Sequence, residues 1–314
     1  MRILWLYSHI QHWMGGTRFI HEVCREFIKC GHDVTLVVEN YSNELKKKFE
    51  EIAVNIKSLD TPSSNSTHYW LNFKKIIKSH ILKLQQESKD FDLIISSMFP
   101  MNYVGNFLGK KHIQIVYEPF APFWDENFLK SISITKKIGW LLVKRFYSQY
   151  DIEGTQKSDC LLTLSEHIRN WARNIYKKDS NVIYEGVDVN FFKPTYNSEL
   201  AEKYKGKKII LHNTSFTSYK GTDFLMKAMP KIVKAVPETK LLITYAINNK
   251  KKIDSILRFG EEEKFISNIE FLGFVDYALL PDYYSLAVVY IEPGQILQPE
   301  QTQGGNQDRH FRYL

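Results

Sequence analysis

The chain has 314 residues, of which 44% are hydrophobic and 25% are charged residues of both signs. A chain of this composition buries a core, which excludes the disordered and collagen-like classes, and its length suggests about two domains. The net charge of +7 favours an anionic partner, such as a phosphate, a nucleotide or a membrane surface, without choosing among them. The cysteines Cys24, Cys30 and Cys160 have no metal-ligand spacing, so we expect reduced thiols, as in a cytosolic protein.

The first half of the chain alternates short apolar runs with helical patterns, which indicates a parallel sheet covered by helices. We predict strands at 3–7, 34–38, 93–96, 113–116 and 161–164. Between the first two strands, residues 17–30 carry apolar side chains at helical spacing, and Gly31 follows as a suitable left-handed cap. The first apolar run is too short for a signal peptide, and no run approaches the ~20 residues of a spanning helix.

Two further segments of the first half predict amphipathic helices. Residues 72–89 place phenylalanine, isoleucine and leucine side chains on one face with lysines around it, and we expect this face to pack on its own sheet. Residues 128–150 mix tryptophan and leucine side chains with five lysine or arginine residues. This second segment is the stronger candidate for peripheral membrane contact, and a core helix is the alternative.

The second half repeats the alternation after a polar stretch at 195–207, which we interpret as a linker. We predict strands at 209–212, 240–244, 269–272 and 288–291, and helices at 222–236 and 279–286. The predicted organisation is a first domain at 1–194, a second domain at 195–300 and an atypical tail at 301–314. The predicted fold class is therefore α/β, with two doubly wound Rossmann-like domains that bind ligands at the carboxyl ends of their strands.

A glycine pair, Gly15 and Gly16, lies between the first predicted strand and the first helix. Because these residues have no side chains, their amides could approach a diphosphate, with the helix dipole behind them. The pair lacks the spacing of the dinucleotide fingerprint, so we do not expect an NAD-dependent enzyme. A tight turn without a ligand is the alternative.

Four segments, taken in order, resemble the retaining glycosyltransferases of family four. They are 15–17 with 31–37, 182–188 with 191–194, 211–229, and 269–275 with 280–287. The resemblance implies the GT-B fold, in which the two domains face a central cleft. It also implies sugar transfer, with retention, from a nucleoside diphosphate sugar to a glycan or lipid-linked glycan, without a metal ion. Apart from the resemblance, we expect a cytoplasmic location, at the inner face of the cell membrane if residues 128–150 contact lipid.

The resemblance assigns donor-binding residues to the second domain. Lys220, at the mouth of a strand-loop-helix unit, would neutralise the leaving diphosphate, and Gly221 would let the helix amino terminus add backbone donors. The family usually has an arginine where this chain has Ser215, whose hydroxyl cannot spread charge as a guanidinium does. A solvated loop lysine is the alternative for Lys220. The other residues implied in donor binding are Gly15, Gly16, Phe274, Val275 and Glu292.

Glu118 follows the fourth predicted strand, where many family members have a histidine. This chain resembles a branch that has Glu-Pro in that place, and Pro119 favours an extended turn aimed at the ligand crevice. We expect Glu118 to be the catalytic carboxylate, which bonds a hydroxyl of the sugar or of the acceptor. A carboxylate paired with a nearby lysine is the alternative.

The triplet Asp90-Phe91-Asp92 has the form of an Asp-x-Asp metal motif, but it immediately precedes a predicted strand and is more typical of a turn. We therefore predict no metal site. In the family that the chain resembles, lysine, arginine and helix dipoles stabilise the leaving group in place of Mg²⁺.

The family pattern stops after Glu292 and Pro293. The family would continue with a sugar-binding carboxylate and further strands and helices, whereas residues 301–314 are rich in glutamine, glycine and asparagine. We expect a poorly ordered tail, a truncated second domain and little or no transferase activity. The rival hypothesis is a non-catalytic fragment or scaffold that keeps some nucleotide affinity. A nucleic-acid-binding protein ranks third, because the basic residues are spread over many helices.

Overall fold

The computed structural model describes residues 1–13, 15–64, 66–217, 220–245 and 249–293. The chain divides into two compact units, Met1–Glu185 and a second unit that begins at Gly186. The sequence pattern predicts the boundary nearby, after residue 194. The atypical tail at 301–314, with the poor order expected of it, lies outside the described residues.

Within the described ranges, a parallel sheet of seven strands forms the centre of the first unit. Its strands are β1 (Arg2–Ile10), β2 (Asp33–Tyr41), β3 (Asn55–Ser58), β4 (Leu93–Ser97), β5 (Lys111–Val116), β6 (Cys160–Thr163) and β7 (Asn181–Val182). They lie in the order β3-β2-β1-β4-β5-β6-β7. Each of the predicted strands is found to within a few residues, whereas β3 and β7 are not predicted.

Helices cover both faces of this sheet. They are α1 (Gly15–Lys29), α2 (Asn43–Glu50), α3 (Thr67–Leu71), α4 (Phe73–Glu87), α5 (Met101–Gly105), α6 (Ala121–Trp124), α7 (Glu126–Ser131), α8 (Ile134–Lys157) and α9 (Glu166–Tyr176). Serine hydroxyls cap three of them, since Ser42 accepts a hydrogen bond from the Leu45 amide, Ser66 from the Tyr69 amide and Ser165 from the Ile168 amide. The segment 128–150 is divided between α7 and α8.

The alternation of side chains along β1 builds a core on each face of the sheet. Leu4 and Leu6 belong to one core, together with Phe73 of α4. Ile3 and Trp5 belong to the other, together with residues of α1 and α2. Full burial of such side chains contributes about 1.5–3 kcal/mol each. The expectation that the apolar face of residues 72–89 packs on its own sheet is therefore confirmed.

The second unit has its own parallel sheet, of four strands among the described residues, in the order β10-β9-β8-β11. The strands are β8 (Lys208–Asn213), β9 (Thr239–Thr244), β10 (Ile269–Gly273) and β11 (Val289–Tyr290). The helices are α10 (Ser198–Lys203), α11 (Thr222–Ala235), α12 (Lys250–Glu262) and α13 (Leu280–Leu286). The sequence pattern does not predict α12, and α10 lies within the expected linker at 195–207.

The helices of the second unit also cover both faces of their sheet. Leu225 and Met229 of α11 share a core with Ile256 of α12, and Leu211 of β8 lies in a second core with Tyr283 of α13 packed against it. The predicted α/β fold class, with two doubly wound units, is confirmed. No helix in the described part of the chain is long and apolar enough to cross a membrane.

Candidate active site

The carboxyl ends of the parallel strands in the second unit share one edge of the sheet. Ser215 and Lys220 follow β8, Phe274 and Val275 follow β10, and Glu292 follows β11. In open α/β sheets this edge is where ligands bind. The predicted donor-binding residues of the second unit therefore lie on loops of the same edge.

Lys220 and Glu292 form an ion pair at this edge. The Lys220 ammonium contacts Glu292 Oε1, and the Tyr290 hydroxyl donates a hydrogen bond of 3.2 Å to Glu292 Oε2. Burial raises the pKa of the Tyr290 hydroxyl, and the nearby Tyr284 and Glu292 raise it further. The side chains of Lys220 and Glu292 remain 31% and 41% exposed, so an incoming ligand can reach both charges.

Gly221 joins this pair to the start of α11. Its φ of +66° is in the left-handed region that favours glycine. A Cβ atom at this position would lie 2.0 Å from the carbonyl oxygen of Pro293, which no side chain could avoid. The close contact holds the residue before α11 against the residue after Glu292, so glycine is required here for two separate reasons.

A chain of hydrogen bonds runs beneath the ion pair and passes through the buried His212. Because the Ile291 carbonyl can only accept, His212 Nδ1 carries the proton and donates over 2.8 Å, and Nε2 is left to accept. The Thr222 hydroxyl donates to Nε2 over 3.0 Å and accepts from the Thr214 hydroxyl over 2.8 Å. Thr214 Oγ1 in turn accepts from the Phe216 amide over 2.9 Å. This direction of donation holds for the neutral imidazole.

The electrostatics of His212 agree with that protonation state. Burial lowers the pKa of the imidazole, and the Lys220 ammonium acts in the same direction. The Ile291 carbonyl and the Glu292 carboxylate oppose the shift without cancelling it. His212 therefore ties together the end of β8, the first residue of α11 and the backbone before Glu292. Sequence reasoning missed it, although its place at the end of a predicted strand was a usable signal.

The remaining predicted residues of this unit follow β8 or β10 at the same edge of the sheet. The Ser215 hydroxyl lies 2.9 Å from that of Thr217. Phe274 is 72% exposed, and Val275 beside it is half-buried. Because β9 separates β10 from β8 in the sheet, Phe274 and Val275 lie two strands away from the loop of Lys220.

In the first unit, Gly16 lies beside Tyr7. Helix α1 begins at Gly15, whose missing Cβ faces open space, whereas a Cβ on Gly16 would lie 3.3 Å from the Tyr7 hydroxyl oxygen. Neither Gly15 nor Gly16 has a positive φ. Glycine at position 16 therefore serves the close approach of the phenol rather than an unusual backbone conformation.

Glu118 follows β5 at the carboxyl edge of the same sheet. The Glu118 side chain is exposed to solvent. Nearby protein atoms still raise the pKa of its carboxyl by desolvation, and the Asp125 carboxylate raises this pKa further. Burial, followed by the charge of Glu118, raises the pKa of Tyr7 to about 12. In the ranges that the structure describes, Glu118 has no lysine or arginine partner within ion-pair distance. Tyr7 thus lies beside Gly16 and within electrostatic reach of Glu118, and the sequence pattern predicts only the last two of these residues.

The Asp90-Phe91-Asp92 triplet lies at the opposite edge of the first sheet. Asp90 ends a short 3₁₀ turn, and Asp92 Oδ2 accepts a hydrogen bond of 2.7 Å from the Arg2 amide. The turn predicted from the sequence is therefore present, immediately before the amino end of β4. Among the described residues, no group of three or more His, Cys, Asp or Glu side chains is arranged to hold a metal ion.

Solved structures of known proteins share this fold. A glycosyltransferase from Rickettsia africae ESF-5 is 17% identical, with a TM-score of 0.63, over 92% of this chain and 73% of that one. Alr3699/HepE of Anabaena, in complex with UDP, is 13% identical, with a TM-score of 0.70, over 94% and 74%. WaaG, a glycosyltransferase involved in lipopolysaccharide biosynthesis, is 13% identical, with a TM-score of 0.66, over 94% and 75%. At these identities the likeness concerns the fold alone.

The sequence itself was also compared with known families and proteins. Comparison with curated protein sequences gives no match. The family model of Glycosyltransferase Family 4 matches residues 13–191, which is more than half of the chain. The prediction of a glycosyltransferase is thereby confirmed, and the chain belongs to glycosyltransferase family 4.

Proposed function

We propose that the protein transfers a sugar from a nucleoside diphosphate sugar to a hydroxyl acceptor, with retention of the anomeric configuration. The observation that carries this proposal is the Lys220–Glu292 pair at the start of α11. Membership of glycosyltransferase family 4 supports sugar transfer, and the Anabaena protein of the same fold is described in complex with UDP.

Lys220 and the first turn of α11 are the proposed diphosphate site. The helix has 14 residues, and its first backbone amides present partial positive charge to an anion. The Lys220 ammonium adds a full positive charge. A bound diphosphate would either interact with this ammonium together with the Glu292 carboxylate or replace the carboxylate as its partner. The hydroxyl of Ser215 is placed on the same loop and would donate one further hydrogen bond.

Glu292 is the proposed partner of the donor sugar. Once the diphosphate engages Lys220, Glu292 Oε1 is available to accept from sugar hydroxyls, while Tyr290 still holds Oε2. The exposed ring of Phe274, with Val275 beside it, offers an apolar surface on which a nucleoside base could stack. Gly15 and Gly16 are the proposed backbone donors of the first unit.

The proposed transfer breaks the bond between the anomeric carbon and a diphosphate oxygen and forms a bond from that carbon to the acceptor oxygen. The departing diphosphate keeps the electron pair and becomes basic enough to take the acceptor proton. We propose that Lys220 and the α11 dipole stabilise its charge, so that no divalent cation is required. Glu118 would accept a hydrogen bond from a sugar or acceptor hydroxyl.

The proposed acceptor is a glycan or a lipid-linked glycan in polysaccharide biosynthesis, and the proposed location is the cytoplasm, at the inner face of the cell membrane. The involvement of WaaG in lipopolysaccharide biosynthesis supports this class of acceptor.

A panel of nucleoside diphosphates and their sugars tests the proposal by thermal shift, followed by mass spectrometry of the products. A ligand that binds only the folded state raises the melting temperature, and we expect at least one nucleoside diphosphate sugar to do so. Consumption of that sugar separates transfer from the little or no activity that the sequence pattern predicts. The anomeric coupling in the product reports retention or inversion. Binding without any transfer would favour the scaffold hypothesis, and the absence of both would contradict the proposal.

A further inference from the structure

Helix α8 has two apolar faces. Trp140, Val143, Tyr147 and Tyr150 pack against the core of the first unit, and the Tyr147 hydroxyl donates a hydrogen bond of 2.9 Å to the Trp70 carbonyl oxygen. Their spacing of i, i+3, i+7 and i+10 places them on one side of the helix. This inner face fixes the rotation of α8 about its axis.

The second apolar face of α8 points away from the core, and its side chains are between 45% and 75% exposed. It consists of Ile134, Ile138, Leu141, Leu142 and Phe146, and we call it the outer face of α8. Its spacing of i, i+4, i+7, i+8 and i+12 sets it about half a turn from the inner face. A contiguous row of exposed apolar side chains is typical of a surface that contacts another protein or a membrane.

The charged residues of the segment that carries the outer face have one sign. Residues 128–150 contain five basic residues and no aspartate or glutamate. The basic residues are Lys130, Lys136, Lys137, Lys144 and Arg145. Lys130 pairs with Glu126 on α7, and Lys136 lies four residues before Trp140, on the side of the inner face. Lys137, Lys144 and Arg145 therefore border the outer face. The net charge of the whole chain is +7, so this short segment accounts for most of the excess. Any partner of the outer face must combine an apolar surface with negative charge.

A lipid surface meets both requirements better than a second copy of the chain. A symmetric dimer would bring the same patch of each copy together, and so would set the basic residues beside one outer face against the same residues of the other copy. An anionic bilayer supplies phosphate groups for the basic residues and an acyl region for the apolar row. A helix with a basic, apolar surface of this kind lies in the plane of the membrane interface rather than across it.

We propose that the outer face of α8 docks on an anionic phospholipid membrane. The apolar row enters the boundary between headgroups and acyl chains, and Lys137, Lys144 and Arg145 lie at the level of the phosphates. This inference goes beyond sugar transfer, because docking requires neither donor nor acceptor. A vesicle experiment therefore fails or succeeds independently of any activity assay.

The test is flotation of the full chain with vesicles of neutral phosphatidylcholine and with vesicles that also contain phosphatidylglycerol. We expect recovery with the anionic vesicles that falls as salt is raised, because screening weakens the attraction. Replacing Lys137, Lys144 and Arg145 by Glu should lower the partition coefficient at least ~100-fold, since each basic residue near an anionic leaflet contributes about 1 kcal/mol. The pair Leu142→Gln and Phe146→Gln tests the apolar row.

A matched control reverses Lys74, Lys75 and Lys78 on α4, which are exposed but belong to a helix whose apolar face is buried. It should bind vesicles as the wild type does. Equal recovery with neutral and anionic vesicles, or equal loss in the α4 and α8 variants, would overturn the proposal. So would a concentration-dependent dimer that the Leu142→Gln, Phe146→Gln variant abolishes without any vesicle binding. Melting temperatures of all variants show whether each remains folded.

Discussion

The contact between Gly221 and the Pro293 carbonyl fixes the geometry of the candidate site at the scale of single residues. It holds the loop that ends in Lys220 against the strand end that carries Glu292. The backbone therefore places the two charged side chains close to each other. The hydrogen-bonded chain through His212 braces the same two segments from below. Because the site is already ordered, it loses less conformational entropy when a diphosphate binds.

The pH dependence of this brace follows from the lowered pKa of His212. Because the unfolded imidazole takes up a proton at a higher pH than the folded one, the stability that neutral His212 contributes is present above about pH 6.5. It is lost as the pH falls through the folded-state pKa. Replacing His212 by Asn should remove about 1–3 kcal/mol at pH 7, for the hydrogen bonds lost, and should make stability fall less steeply in acid.

Chemical denaturation at pH 7 and at pH 5 measures this effect, with nucleoside diphosphate affinity as a second readout. The matched control is His167→Asn, at an exposed position on α9, which should change neither quantity. If His212→Asn kept both the wild-type stability and the wild-type slope with pH, His212 would have no role as a brace. If stability fell and affinity did not, its role would be structural only.

Residues of the site were predictable where a motif or the end of a strand marked them. Lys220 and Gly221 precede a predicted helix, and Glu292 follows a predicted strand, so the rule that parallel strands share a carboxyl edge brings them together. Tyr7 and His212 were missed, because a polar side chain at the end of a predicted strand signals a position near the site but does not reveal what it contacts. Its partners become visible only when neighbouring strands are paired.

At the scale of elements, α4 shows how one apolar face attaches a helix to the sheet. Phe73 is fully buried among aromatic rings, with centroid distances of 5.4 Å to Trp70 and 4.6 Å to Tyr147. Replacing Phe73 by Ala should cost about 3–5 kcal/mol, for lost burial and the cavity left behind. Leu82 on the same helix is 57% exposed, and its replacement by Ala should change stability by less than about 0.5 kcal/mol.

Equilibrium denaturation of the two variants measures the contrast. Because the chain has two compact units, the transition should be followed by a probe in the first unit, such as the fluorescence of the tryptophans near α4. Equal stabilities of the Phe73 and Leu82 variants would contradict the assignment of the buried face.

The elements that the sequence pattern missed are those with weak periodicity. Strand β7 has two residues, and β3 has one buried side chain, Ile56, so neither gives an apolar run. Helix α12 begins with three lysines, so the helical spacing of its apolar residues Ile253, Ile256 and Phe259 was not recognised. For 128–150 the sequence left core and membrane as alternatives, and the structure places apolar side chains of α8 both against the core and in solvent.

At the scale of the whole molecule, two α/β units divide the proposed chemistry. The proposed diphosphate and sugar contacts of Lys220 and Glu292 belong to the second unit, and Glu118 with the glycine turn belongs to the first. The alternation of strands and helices was enough to predict this organisation, because parallel sheets require helical crossovers between their strands. Donor base, sugar and acceptor depend on side chains that no periodic pattern specifies.

Isothermal titration calorimetry of the Lys220→Ala variant tests the central claim most directly, with the nucleoside diphosphate that gives the largest thermal shift as the ligand. Loss of a charge-assisted hydrogen bond should weaken binding by roughly 1.5–3 kcal/mol, which is about 10- to 150-fold in Kd. Lys227→Ala, at an exposed position on the same helix, is the matched control and should bind as the wild type does. Wild-type affinity in the Lys220→Ala variant, or an equal loss in both variants, would contradict a diphosphate site at the start of α11.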